Sequence, residues 1–231
     1  MEVTRIYDIL DHYLEKYPNQ EAALASKKGG VWQKISIQEY VSKTNLISYG
    51  LLAIGVGKGD RVGLVSGNRP EWNMIDFAIM QIGAVSVPIY PNISQEDYRH
   101  ILNHAEMKVI FIDGKDLRGK LEPIMPEVTS LKSIYTFNEE GAKYKILNDL
   151  IELGKANPQP EKLEAIKAAI SPDELASIIY TSGTTGAQKG VMLSHSNIVN
   201  QIHNLRMTPA EWSKTALSFL PLCHAYERML V

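Results

Sequence analysis

The sequence contains a single cysteine, almost no net charge and no apolar segment long enough for a membrane helix. One cysteine among 231 residues excludes an internal disulfide and is typical of a reducing compartment, so the sequence predicts a cytoplasmic location. No apolar run reaches the roughly 18 residues of a membrane span, and the residues after Met1 lack the pattern of a secretory signal. The 26 acidic and 24 basic side chains leave a net charge of −2, which gives no electrostatic reason to expect nucleic acid as a partner.

Strand-like and helix-like segments alternate along most of the chain. Short connections between them indicate βαβ units, so the predicted fold class is α/β with a mainly parallel sheet. Residues 138–170 are polar and predict a surface excursion with one or two helices, and 171–174 predict a turn leading into a central strand. The predicted strands are 61–66, 84–89, 108–112, 132–137 and 215–220, with a hairpin from 22–26 and 31–35; the predicted helices are 4–16, 36–54, 71–82, 94–105 and one capped by Ser194 or Ser196 that ends near Leu205.

One stretch rich in glycine and hydroxyl residues lies between two apolar runs. Residues 181–190 are Thr-Ser-Gly-Thr-Thr-Gly-Ala-Gln-Lys-Gly. The small side chains let backbone N–H groups approach a ligand, the hydroxyls add donors and Lys189 adds a positive charge, a combination that favours a polyphosphate. The Walker pattern does not fit, because Gln188 stands where its second glycine belongs and Gly190 follows the lysine. A hairpin without any ligand is the alternative interpretation.

Residues 180–190 resemble the signature of the adenylate-forming superfamily, which includes acyl-CoA synthetases, luciferases and peptide-synthetase adenylation domains. That signature usually has proline before the lysine, where this chain has Gln188. Two further stretches resemble the long-chain fatty acid–CoA ligase branch: 217–228, Leu-Ser-Phe-Leu-Pro-Leu-Cys-His-Ala-Tyr-Glu-Arg, and 68–72, Asn-Arg-Pro-Glu-Trp, together with 83–91. The resemblance extends from about Trp32 to the end of the chain.

The resemblance implies an acetyl-CoA-synthetase-like large N-terminal domain, of which residues 1–231 would be the N-terminal part. The rest of that domain and a small C-terminal domain would lie outside this chain, which by itself is expected to be inactive. The implied activity is that of an AMP-forming acid–thiol ligase. It activates a fatty acid with Mg-ATP to an acyl-adenylate and then transfers the acyl group to coenzyme A.

The resemblance also implies roles for individual residues. Lys189 would screen the departing pyrophosphate, His224 would orient the acid, and the Thr184 hydroxyl would help to place the magnesium ion. The candidate ATP-binding residues are Thr181, Ser182, Gly183, Thr184, Thr185, Gly186, Lys189 and Gly190. The implied partners are a fatty acid and coenzyme A, with peripheral membrane contact and a homodimer as further options.

Other residue patterns have simpler interpretations. His100 and His104 share a face of a predicted helix, but no third ligand at metal-motif spacing accompanies them, so a solvated helix face is predicted. Cys223 and His224 are neighbours in an extended segment and should point to opposite faces, which argues against a nucleophilic pair. The alternative function is a nucleotide- or phosphate-binding module without ligase chemistry. Gln188 and the apolar end of the chain are its only support.

Overall fold

Nine strands and the helices between them make up the part of the chain that the structure describes. The computed structural model describes residues 2–137, 143–181, 188–205 and 215–230. The strands are β1 (Leu24–Lys28), β2 (Val31–Ile35), β3 (Arg61–Val65), β4 (Val85–Ile89), β5 (Val109–Ile112), β6 (Ser133–Thr136), β7 (Lys145–Ile146), β8 (Leu175–Thr181) and β9 (Lys189–Ser194). The helices are α1 (Asp8–Lys16), α2 (Ile37–Ala53), α3 (Pro70–Gln81), α4 (Gln95–His104), α5 (Lys115–Leu121), α6 (Leu147–Ala156), α7 (Pro160–Ala169), α8 (His195–Leu205) and α9 (Ala225–Leu230), with a 3₁₀ turn at Met125–Glu127.

Among the described residues, seven strands form one sheet in the order β7-β6-β5-β3-β4-β8-β9. Every neighbouring pair in this sheet is parallel except β8 and β9, which are antiparallel. β1 and β2 form a separate antiparallel hairpin. The predicted mainly parallel sheet is therefore confirmed. β8 has a neighbour on each side, β4 and β9.

Both faces of the sheet are buried at β3, β4 and β5. In β5, Val109 and Phe111 pack with residues of α2 and α3, whereas Ile110 and Ile112 pack with residues of α4 and α5. Alternate side chains of a strand point to opposite faces, so these helices cover opposite sides of the sheet, as a parallel sheet requires. The continuous apolar runs that predicted these strands reflect this double burial.

Side-chain caps set the starts of several helices where the sequence predicted them. The Ser36 hydroxyl accepts a hydrogen bond from the Glu39 N–H at 3.1 Å, and the Ser194 hydroxyl accepts one from the Asn197 N–H at 3.2 Å. α1 begins four residues later than predicted. The Asp8 carboxylate accepts hydrogen bonds from the backbone N–H groups of Thr4 (3.1 Å) and Arg5 (2.8 Å). These bonds hold both residues in a turn before the helix.

Two predicted segments differ from the structure. Residues 215–220 form no strand in the described structure, and the carbonyl of Leu220 accepts a hydrogen bond from the Asn68 side chain. Residues 143–170 hold β7, α6 and α7, and α6 packs closely against α2 instead of extending over the surface. Within the described ranges, none of the helices combines the length and the apolar character needed to cross a bilayer.

Candidate functional site

The carboxyl ends of the parallel strands meet at one edge of the sheet. Polar residues follow β3 and β5 there, and β8 ends at Thr181. Arg69 donates to Asp113 Oδ1 at 2.8 Å, and the Ser66 hydroxyl donates to Oδ2 of the same carboxylate at 3.1 Å. The Arg69 guanidinium also lies 4.3 Å from the ring centroid of Phe137. Ligands of open α/β sheets bind at this edge, so the end of β8 lies where a ligand is expected.

The predicted phosphate loop joins β8 to β9, and the structure describes both of its flanks. Thr181 pairs with Lys189, and Tyr180 pairs with Gly190. Directly opposed residues of an antiparallel pair share a face, and Thr181 and Lys189 are both exposed. A hydroxyl and an ammonium group therefore share one exposed face at the end of this hairpin. The candidate residues Ser182, Gly183, Thr184, Thr185 and Gly186 lie outside the described residues.

Gly190 allows the two strands to pack tightly at the base of this hairpin. A Cβ atom at position 190 would lie 2.8 Å from Cγ2 of Ile178 and 3.3 Å from Cζ of Tyr180. The Tyr180 ring is buried in the core of the sheet and has little freedom to move aside. Packing therefore explains why position 190 is a glycine, whether or not its backbone also contacts a ligand.

Two histidines of α4 contact the flanks of the predicted loop. His100 Nε2 lies 2.9 Å from the carbonyl oxygen of Gln188, and the histidine is the donor because a carbonyl oxygen only accepts. His104 Nδ1 lies 2.7 Å from the Tyr180 hydroxyl. Both imidazole rings also meet the Tyr180 ring edge to face. The four-residue spacing puts both histidines on one face, as predicted. His104 is exposed and His100 is partly buried, and both also contact the β8–β9 hairpin, which the sequence did not indicate.

The described part of the chain contains no group of three or more His, Cys, Asp or Glu side chains that could hold a metal ion. One ring nitrogen of each of His100 and His104 lies within hydrogen-bond distance of a group on the β8–β9 hairpin. Thr184, the candidate contact to magnesium, is not among the described residues.

Asn68 fastens the segment that carries His224 to the carboxyl edge of the sheet. The Asn68 amide donates to the Leu220 carbonyl at 2.7 Å and its oxygen accepts from the Leu222 N–H at 3.0 Å. His224 itself is exposed, and its Nδ1 accepts a hydrogen bond from the Tyr226 N–H at 3.3 Å. No hydrogen bond between described residues joins His224 to Thr181 or Lys189. The His224 segment and the β8–β9 hairpin are related only in that both lie at the carboxyl edge of the sheet.

Cys223 differs from its neighbour in both burial and chemistry. Its side chain is buried, whereas that of His224 is exposed. Burial raises the pKa of the Cys223 thiol to about 11, so the thiol is protonated near neutral pH and is a poor nucleophile. The structure thus agrees with the interpretation that the two residues form no catalytic pair.

Arg228 of α9 makes a buried ion pair with Asp76 of α3, two residues with no role predicted from the sequence. Arg228 Nε and Nη2 each donate to one carboxylate oxygen of Asp76 at 2.7 Å, and the two side chains are only 5% and 4% exposed. Arg228 Nη1 donates to the Ser177 hydroxyl at 2.7 Å, and the Ser86 hydroxyl donates to Asp76. These bonds tie α9, which follows His224, to α3, β4 and β8. The one signal in the sequence is an aspartate in the middle of a largely apolar helix.

Comparison with known proteins shows a family match over most of the chain. Residues 10–231 match the family described as AMP-binding enzyme. The chain is 33% identical over 222 residues to fatty acyl-CoA synthetase A of Dictyostelium discoideum, an alignment that covers 90% of this chain and 32% of that protein. It is 35% identical over 204 residues to the long-chain-fatty-acid–CoA ligase FadD15 of Mycobacterium bovis, covering 87% of this chain and 34% of the relative. The chain thus spans about a third of the length of these relatives.

Solved structures share the fold. A long-chain-fatty-acid-CoA ligase (FadD1) from Archaeoglobus fulgidus superposes with a TM-score of 0.78 at 24% identity, over 99% of this chain and 44% of that one. The anthranilate CoA ligase AuaEII in complex with anthranoyl-AMP superposes with a TM-score of 0.73 at 22% identity, over 88% of this chain and 38% of that one. These similarities confirm the predicted fold class.

Proposed function

The chain belongs to the AMP-binding enzyme family, and we propose that its full-length form is an ATP-dependent fatty acid–CoA ligase. In this proposal residues 1–231 are the N-terminal part of a large adenylation domain. The observation that carries the proposal is the pairing of Thr181 with Lys189 at the carboxyl edge of the sheet. The segment of His224 is fastened to the same edge. The names of the relatives, which are fatty acyl-CoA synthetases and ligases, support a fatty acid as the substrate.

The proposed reaction needs charge stabilisation and positioning rather than a protein nucleophile. The substrate carboxylate attacks the α-phosphorus of ATP, the acyl-adenylate forms and pyrophosphate leaves; the thiolate of coenzyme A then displaces AMP to give the thioester. The Lys189 ammonium offsets the charge that develops on the leaving pyrophosphate, and His224 orients the acid. The remaining contacts to the β- and γ-phosphates come from the hydroxyl and backbone N–H groups of Thr181, Ser182, Gly183, Thr184, Thr185, Gly186 and Gly190.

Magnesium would enter this site together with the nucleotide. Mg²⁺ keeps several water ligands and binds phosphate oxygens, so it needs few protein ligands. In the proposal the Thr184 hydroxyl is the protein group that helps to place the ion, which neutralises phosphate charge when bound.

The acid, the acceptor and the cellular setting belong to the same proposal. Burial of each methylene of the acid contributes roughly 0.8 kcal/mol, so a binding tunnel can select a long or medium chain. Coenzyme A is the proposed thiol acceptor. The free, buried Cys223 supports a reducing, cytoplasmic location. Peripheral membrane contact, through which a poorly soluble acid could be taken up, and a homodimer complete the proposal.

Carboxylate-dependent ATP–pyrophosphate exchange tests the proposal. The full-length product of the gene should catalyse exchange that peaks at one fatty acid in a series from acetate to palmitate, and residues 1–231 alone should not. Lys189→Ala should slow exchange about a hundredfold, the usual loss for a group that stabilises charge in the transition state. Lys34→Ala, at an exposed position of β2, is the matched control and should retain the wild-type rate.

Two results would contradict the proposal. ATP binding without exchange for any acid would favour the alternative, a nucleotide-binding module without ligase chemistry. Exchange at the wild-type rate by a folded Lys189→Ala variant would remove Lys189 from the mechanism.

A further inference from the structure

α4 lies beside the β8–β9 hairpin and is held in place by a cap and by core packing. Its first turn is closed by a capping box between Ser94 and Asp97. Tyr98, Ile101 and Leu102 anchor it in the core, and the Tyr98 hydroxyl donates to the Tyr90 carbonyl at 2.9 Å. A helix held in this way can fix the position of the residues that His100 and His104 contact.

The two histidines of α4 form hydrogen bonds to opposite flanks of the predicted phosphate loop. His104 bonds to Tyr180, the residue before Thr181, and His100 bonds to Gln188, the residue before Lys189. These contacts join residues 76 and 88 positions apart in the sequence. Because one helix bonds to both flanks, it fixes the two flanks relative to each other as well as to the sheet.

Position 188 is where such support matters. A glutamine, unlike a proline, leaves the backbone φ angle at this position free, and Gly190 brings no side chain that could hold the strand. The Gln188 carbonyl is instead held by His100. Asp97 of α4 also lies beside Gln188. The pKa of Asp97 is lowered by a hydrogen bond from the Ser94 hydroxyl, and a hydrogen bond from the Gln188 side chain lowers it further.

We propose that His100 and His104 are positioning residues of the ATP site, which hold Gln188 and Tyr180 and thereby set the position of Lys189. This inference rests on the proposed role of Lys189 as a pyrophosphate contact. Neither histidine touches the reacting atoms; both act through the backbone and the ring that flank the loop.

The test measures ATP binding at Lys189 without requiring turnover. The full-length protein is treated with an N-hydroxysuccinimide ester at increasing Mg-ATP, and mass spectrometry gives the ATP concentration that halves acylation of Lys189. His100→Ala and His104→Ala remove the contacts. His100→Gln and His104→Asn restore a hydrogen-bonding group at the reach of Nε2 and Nδ1. Asn103→Ala is the matched control on α4, because that exposed side chain donates to a carbonyl of its own helix at 3.0 Å and has no hydrogen bond to Tyr180 or Gln188 among the described residues.

Each alanine variant should raise the half-protecting ATP concentration about fivefold, the usual effect of losing one hydrogen bond. His100→Gln and His104→Asn should stay within about twofold of wild type, since they keep a group that can form the hydrogen bond. Asn103→Ala should do so because Asn103 makes no bond to the described flanks of the loop. Circular dichroism and thermal unfolding establish that each variant is folded. Should His104→Ala not fold, Tyr180→Phe removes the hydroxyl partner alone and should give the same rise.

Two outcomes would overturn the inference: wild-type protection in folded alanine variants, or impairment of the Gln and Asn variants equal to that of the alanine variants. A wild-type protein whose Lys189 is not protected by ATP at all would instead remove the proposed function, and this inference with it. The two failures are therefore distinguishable.

Discussion

His195 shows how burial determines the role of a single residue. No sequence pattern assigned this histidine a function, although it lies soon after the predicted phosphate loop. Its side chain is 1% exposed, its Nδ1 accepts a hydrogen bond from the Ile6 N–H at 3.3 Å, and its ring meets the edge of Tyr7. Burial lowers its pKa to about 4, so it is neutral in the folded chain and joins α8 to the N-terminal segment.

Acidification should destabilise the chain through His195. An unfolded histidine has a pKa of about 6.5, and the folded value is about 4, so the unfolded state binds the proton more tightly. Stability should fall as the pH drops below the unfolded pKa, with the loss complete near the folded one. At roughly 1.4 kcal/mol per pKa unit the total is on the order of 3 kcal/mol. Urea unfolding at several pH values between 7 and 4 measures it.

His195→Asn is the informative variant for this prediction, because its amide oxygen can replace Nδ1 as the acceptor but does not titrate. It should lose clearly less stability on acidification than the wild type. Gln201→Asn, at an exposed position of α8, removes no titrating group and should keep the wild-type pH dependence. Equal pH dependence in the wild type and in His195→Asn would contradict the assignment.

At the scale of secondary structure elements, two glycines determine how α6 packs on α2. A Cβ atom at Gly154 would lie 1.9 Å from the Leu46 carbonyl oxygen, and one at Gly50 would lie 2.3 Å from the Leu150 carbonyl oxygen. The two helices therefore contact each other backbone to backbone, which only glycine permits at these points.

Gly154→Ala should destabilise the chain although alanine is the better helix former. Overpacking a close contact usually costs about 1–3 kcal/mol, which outweighs a gain in helix propensity of roughly 1 kcal/mol. Gly119→Ala in α5 is the control, since nothing lies within 4 Å of a Cβ atom there, and it should stabilise slightly. Chemical denaturation of both variants measures the difference. An increase in stability for Gly154→Ala would show that the helices can separate without loss.

The sequence was informative for the buried strands and less so for helix α6 and residues 215–220. β3, β4 and β5 lie within one residue of their predicted bounds, because strands buried on both faces produce continuous apolar runs. α6 belongs to a segment whose polar composition suggested an exposed excursion, and its few buried positions gave no hint of the contact with α2. Residues 215–220 are mostly apolar and are predicted to form a strand, yet Leu217 and Phe219 are 73% and 75% exposed.

For the molecule as a whole, the candidate site is assembled from segments far apart in the chain. Local composition predicted that Lys189 lies in a ligand-binding loop, and the structure places it at the expected edge of the sheet. The histidines that contact the flanks of this loop could not be identified in the same way, because spacing along a helix defines a face but not what that face contacts. The pair of Asp76 and Arg228 joins residues 152 positions apart, which no local pattern encodes.

That pair allows a final prediction about the whole molecule. Arg228→Ala should destabilise the chain by about 3–5 kcal/mol, because it leaves the Asp76 carboxylate buried without a partner. Replacing both residues, with Asp76→Leu and Arg228→Met, should recover most of the loss, since an apolar pair of similar volume avoids the buried charge. The exposed pair of Lys155 and Glu152, 53% and 55% exposed, is the control, and its removal should change stability by less than about 1 kcal/mol. Urea unfolding of the single and double variants measures the coupling. Additive losses in the double variant would mean that the two charges act independently, and α9 would then need another explanation for its place beside β4 and β8.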